Sequence, residues 1–83
     1  MEELFTSKTL VKILKLFLKN PKRRFYQSEL PLKLGESLGA IQYEVKRLEK
    51  IGFLDKKTTK VRTFYWLNKK FPYIRELKSL LKI

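Results

Sequence analysis

Eighty-three residues make one small domain, of a size that buries roughly 60–70% of its unfolded surface, and 43% apolar residues, with one Trp, four Tyr and six Phe, are too many for a disordered polycation. Twenty Lys/Arg against eight Asp/Glu give a formal net charge of +12, a self-repelling excess that makes nucleic acid the first partner to consider; a lysine-rich surface laced with ion pairs would need more acids. The chain has neither cysteine nor histidine, which excludes disulfides, thiolate nucleophiles, imidazole bases and ordinary zinc sites.

In chain order, Thr6 or Ser7 is positioned to cap a first helix whose Leu10, Ile13, Leu14 and Phe17 recur at helical spacing, and Asn20-Pro21 stops it. Val11 and Leu18 widen its apolar arc to about 160°, more than one core contact requires, so part of the arc is expected to meet a second subunit. Lys8, Lys12, Lys15 and Lys19 lie opposite. The basic, β-prone stretch from Lys22 to Tyr26 is long enough for a short edge strand or an extended lead into a second helix. That helix starts near Gln27, holds Leu30, Leu32 and Leu34, and tolerates Pro31 in its first turn.

Gly35 ends the second helix, and Ser37 can cap a third that runs from Leu38 to about Ile51 before Gly52. Such close spacing of two helices is that of a helix-turn-helix, over about 27–51, whose second helix enters the major groove. Beyond Gly52, two β-prone runs flank Thr58-Thr59-Lys60 and read as a hairpin over about 53–67. Pro72 then opens a helix over about 72–82 with Tyr73, Ile74, Leu77, Leu80 and Leu81 on one stripe. The expected fold is mainly α with a small β-hairpin: a winged helix-turn-helix of three-helix core, two-stranded wing and C-terminal helix, in a single domain over 1–83. The longest uncharged run is too short to span a bilayer, and Met1, Glu2 and Glu3 are unlike a leader, so a cytoplasmic protein is expected.

On the third helix Ile41, Val45 and Leu48 form the inward stripe beside small Ala40, which leaves Gly39, Gln42, Tyr43, Lys46 and Lys50 outward, with Arg47 at the edge. Gln bonds an adenine edge bidentately, Lys serves guanine or phosphate, Tyr43 has a phosphate or a thymine methyl within reach, and Gly39 permits close approach to a duplex. From the hairpin, Lys57, Thr59, Lys60 and Arg62 can straddle a phosphate backbone or enter a minor groove, whereas Lys56 is equally explained as protection of an edge strand. Arg24, in the basic stretch, is expected to hold phosphate, and Ser37 and Gln27 complete the DNA-facing set. Phe64, Tyr65 and Trp66 invite a reading as a stacking platform for single strands, but alternation along a strand favours core or subunit contact. Glu44 and Glu49 lie among Lys46, Arg47 and Lys50, where ion pairing explains them, so no catalytic or cofactor site is expected.

Taken together, the segments 20–30 (NPKRRFYQSEL), 34–54 (LGESLGAIQYEVKRLEKIGFL) and 63–68 (TFYWLN) resemble the winged-helix domains of arsenic-repressor-like and MarR-like transcriptional regulators of archaea and bacteria. The likeness is nearest to small modules whose relatives are also found attached to minimal nucleotidyltransferase domains. It implies DNA contacts at Ser37, Gly39, Gln42, Tyr43, Lys46 and the wing, and a homodimer joined through terminal helices, here Val11, Leu18, Tyr73, Leu77, Leu80 and Leu81. Relatives commonly carry Gly-Asn at the wing tip, from which Thr58-Thr59-Lys60 departs, and metal-sensing relatives use Cys and His, which this chain lacks. A homodimeric regulator of double-stranded DNA is therefore the leading expectation. A protein-interaction adaptor, for instance for a nucleotidyltransferase, and an RNA-binding winged helix are the alternatives, and the pattern names no effector.

Overall fold

Pro21 and Pro31 set much of the chain's early geometry in the computed structural model, which describes residues 7–83; Thr6 and the acidic start at Met1, Glu2 and Glu3 lie outside the described residues. Helix α1, Lys8–Lys19, begins where the Ser7 hydroxyl accepts the Leu10 N–H at 3.1 Å. It ends at Asn20, whose side chain donates to the Leu16 carbonyl at 2.8 Å just before Pro21 forbids another turn. Strand β1, Phe25–Tyr26, follows.

The segment from Gln27 enters its helix more tightly than helical spacing suggests. Pro31 has no N–H for the Gln27 carbonyl, which accepts from Leu30 instead; Gln27–Glu29 therefore forms a 3-10 turn, and helix α2 covers only Leu30–Leu34. Gly35 closes α2 in the left-handed conformation (φ 67°), with its own N–H and that of Glu36 both donated to the Pro31 carbonyl. Helix α3, Leu38–Lys50, is capped by Ser37, whose hydroxyl accepts the Ala40 N–H at 3.2 Å.

Strands β2, Leu54–Thr58, and β3, Thr63–Leu67, form the wing, and helix α4, Ile74–Leu81, ends the fold. The helix expected from Pro72 starts two residues later, because Asn68 organises a preceding turn: its carbonyl accepts the Phe71 N–H and its side-chain oxygen that of Lys70. The sheet has three strands rather than two, in the antiparallel order β1-β3-β2, with Phe25 opposite Tyr65 and Leu54 opposite Leu67. The Lys22-to-Tyr26 stretch thus supplies an edge strand.

The core gathers Leu10, Ile13, Leu14, Phe17, Phe25, Ile41, Val45, Phe53 and Tyr65 between the helices and the inner face of the sheet. Leu18, expected at a subunit contact, is a correction: it is 1% exposed and belongs to the domain's own core. The wide apolar arc on α1 has an internal cause, since α1 touches α2, α3, α4 and β3 and so needs apolar residues on more than one side. Leu32, by contrast, packs against nothing and points to solvent. No helix among the described residues is long and apolar enough to cross a membrane.

Candidate nucleic-acid interface

The turn between α2 and α3 is fastened to α1 by a single carboxylate. Glu36 accepts 2.7 Å hydrogen bonds from the Thr9 hydroxyl and the Lys12 ammonium, and Lys12 also donates to the Leu34 carbonyl at 3.0 Å. The Lys12 bond, followed by that of Thr9, holds the Glu36 carboxyl below its ordinary value of 4.5. A second tie reaches the middle of α3: Glu44, 3% exposed, accepts from the Ser7 hydroxyl at 2.7 Å and from Arg47 at 2.8 Å. Two polar anchors therefore fix the height and rotation of α3 on α1, which determines what α3 presents outward.

The outward side of α3 carries Tyr43, 65% exposed, with Lys46 and Lys50 also exposed and Gln42 half-buried. The Arg47 guanidinium lies 5.5 Å from the Tyr43 ring centroid while bonded to Glu44, so this arginine positions the tyrosine. At the N-terminal end, the Ser37 hydroxyl is committed to capping. Gly39 is exposed with no atom near the place where a Cβ would stand, so internal packing does not require glycine there.

The wing tip closes through threonine chemistry in place of a glycine turn. The Thr59 N–H donates to the Arg62 carbonyl at 2.7 Å, and the Thr59 hydroxyl both donates to that carbonyl and accepts the Arg62 N–H. Thr59, placed among the DNA-facing residues by sequence, thus has its hydroxyl engaged within the tip. Lys60 and Val61, the latter 85% exposed, stand free at the turn between the two strands. A shallow cleft of about 380 Å³ separates the tip from the helix-turn-helix and is lined by Gln27, Ser28 and Leu38 on one side and 58–63 on the other.

The structure thus brings Gln27, Lys60 and Arg62 to the cleft beside the start of α3, with Gln27 accepting a hydrogen bond from the Tyr65 hydroxyl at 3.2 Å. Arg24 and Lys57 stand elsewhere: both lie on the solvent side of the sheet, and the Arg24 guanidinium is 4.4 Å from the Trp66 ring centroid. Lys56 reaches Glu49 at 3.7 Å, an exposed pair that joins the wing to α3. Exposed Leu38, Ser28 and Val61 were missed from sequence; Val61 sits in a β-prone run whose first strand residue is in fact Thr63.

Apart from that cleft, Tyr73, Leu77 and Leu80 of the C-terminal segment join Leu14, Ile51 and Phe71 around an apolar groove of about 420 Å³. Leu81 is half-buried against the core, and Val11 is half-buried on α1 outside that lining. Among the described residues no cluster of acidic, His or Cys side chains is suited to a metal ion.

A three-helix core with a short turn before α3, and a hairpin projecting beside that helix, defines a winged helix-turn-helix. Solved structures share this fold, two of them of proteins named as repressors. HlyU from Vibrio cholerae superposes with a TM-score of 0.69 at 20% identity, over 95% of this chain and 85% of HlyU. The adhesin competence repressor AdcR from Streptococcus pyogenes gives 0.67 at 23% identity, over 95% of this chain and 59% of AdcR. AntR, an antimony-specific transcriptional repressor, gives 0.72 at 14% identity, over 95% of this chain and 68% of AntR. No protein-family model and no curated protein sequence matches the chain.

Proposed function

We propose that this protein is a non-enzymatic, sequence-specific regulator of transcription that binds double-stranded DNA as a homodimer. The observation that carries the reading is the outward face of α3, where Gln42, Tyr43, Lys46 and Lys50 stand beside a basic wing tip in a chain of net charge +12. A helix so presented fits a major groove, with Gln42 and Lys46 facing base edges and Lys60 and Arg62 meeting phosphates or the minor groove. The likeness in fold to two repressors supports the regulatory role. The groove along α4 is the surface assigned to the second subunit, since an apolar concavity next to exposed Tyr73 and Leu80 is costly to leave wet.

The test is a binding titration against random duplexes over a range of salt, followed by selection of an enriched sequence. The expected outcome is salt-steep binding and a pseudo-palindrome with half-sites about 34 Å apart, one helical turn. Absence of duplex binding at low salt would remove the proposal.

A further inference from the structure

Strand alternation turns Tyr65 into the core and leaves Phe64 and Trp66 on the other face of the sheet, which no helix covers among the described residues. Tyr26, 40% exposed, joins them from β1, opposite Phe64. The three rings are contiguous: Tyr26 meets Phe64 edge-on at 5.8 Å between centroids, and Phe64 lies 6.0 Å from Trp66. Two guanidinium groups rest on them, Arg62 at 4.7 Å from the Tyr26 centroid and Arg24 at 4.4 Å from that of Trp66. Beyond Trp66 the surface opens into a shallow depression of about 590 Å³ where Lys22, Arg24, Lys69 and Lys70 converge against one acid, Asp55.

We propose that this sheet face is a second nucleic-acid surface, which takes an unpaired strand by stacking bases on Trp66, Phe64 and Tyr26 and holding its phosphates with Arg24, Lys22, Lys69 and Lys70. Cover of these rings, of which Tyr26 is exposed and Phe64 and Trp66 are half-buried, would by itself account for the two arginines. It does not account for Lys22, Lys69 and Lys70, which pair with no carboxylate among the described residues yet converge beside the tryptophan. Rings that offer π-faces next to a cationic track are the chemistry by which single strands are bound without sequence preference, and an arginine plane already on a ring marks a place where a flat base can lie. The depression from Lys22 and Arg24 to Lys69 and Lys70 includes no residue of α3, and Arg62 alone belongs to both surfaces, so the inference does not rest on the duplex reading.

Trp66 is the only tryptophan in the chain, so its fluorescence reports from the middle of this surface. Titration of the full chain with a short oligothymidylate is expected to quench that fluorescence saturably and with steep salt dependence. Phe64→Leu, which keeps apolar cover but removes a π-face, should weaken binding about fivefold or more. The exposed pair Arg24→Glu with Lys69→Glu should weaken it further, and Lys46→Glu on α3 should leave the quenching in place. The proposal is overturned if the oligonucleotide does not quench, if heparin, a polyanion without bases, quenches and binds equally well, or if Lys46→Glu abolishes the signal.

Discussion

Gln42 and Lys60 are both polar, yet their loss should be read out differently. A base-edge bond carries sequence information, so Gln42→Ala is expected to cost about 1–3 kcal/mol of discrimination at one base position; a phosphate contact carries none, so Lys60→Ala should weaken all duplexes alike and reduce the salt slope by about one. Parallel titrations of the selected site and its point variants separate the two. Gly39 divides stability from binding. Since a Cβ there meets nothing and its backbone needs no positive φ, Gly39→Ala should raise thermal stability by up to about 1 kcal/mol, whereas the larger Gly39→Leu should keep the fold and lose duplex affinity. At this scale the sequence was informative where periodicity governs. Ile41, Val45 and Leu48 turn inward and Tyr43, Lys46 and Lys50 outward because 100° per residue leaves one solution. It gave no sign that the Thr59 hydroxyl is engaged by a partner three residues away, and it set Leu18 at a subunit contact, whereas the burial of Leu18 depends on how many elements surround α1.

The helix-turn-helix is set on α1 through Glu36, and this connection should be visible in acid. Because Lys12 and Thr9 hold the Glu36 carboxyl below 4.5, the stability it contributes is complete at neutral pH and is lost as the pH falls from 4.5 through the lowered folded value. Thermal unfolding of the wild type and Glu36→Gln between pH 6 and pH 3 should therefore give a difference that shrinks toward the acid end; a constant difference would mean that the bond contributes nothing through charge. Ser37→Ala, which removes the cap of α3, should cost about 1 kcal/mol at every pH. Element boundaries were legible where a side chain itself punctuates the backbone, as at Ser7, Gly35 and Ser37. They were less so where a missing N–H acts at a distance: Pro31 changes the hydrogen bonding of Gln27, four residues earlier, and converts an expected helical start into a 3-10 turn. The Glu36 and Glu44 ties join residues 24 to 37 positions apart and left no local mark in the sequence.

For the molecule as a whole, the apolar groove along α4 decides between one reading head and two. Leu80 lies exposed at that groove and outside the domain's core, so Leu80→Glu should fold with unchanged core packing while placing a charge where the second subunit would seat. Sedimentation is expected to show a dimer for the wild type and a monomer for the variant. The loss should carry over to DNA in a specific way. A dimer neutralises phosphates at two half-sites, so the slope of log affinity against log salt, about −0.9 per phosphate contact, should fall by roughly half in the variant. The preference for half-sites one turn apart should vanish with it, since a lone α3 has no second copy to measure the spacing. A variant that dissociates but keeps the full slope and spacing would show that DNA itself assembles two copies, with the groove left for some other occupant.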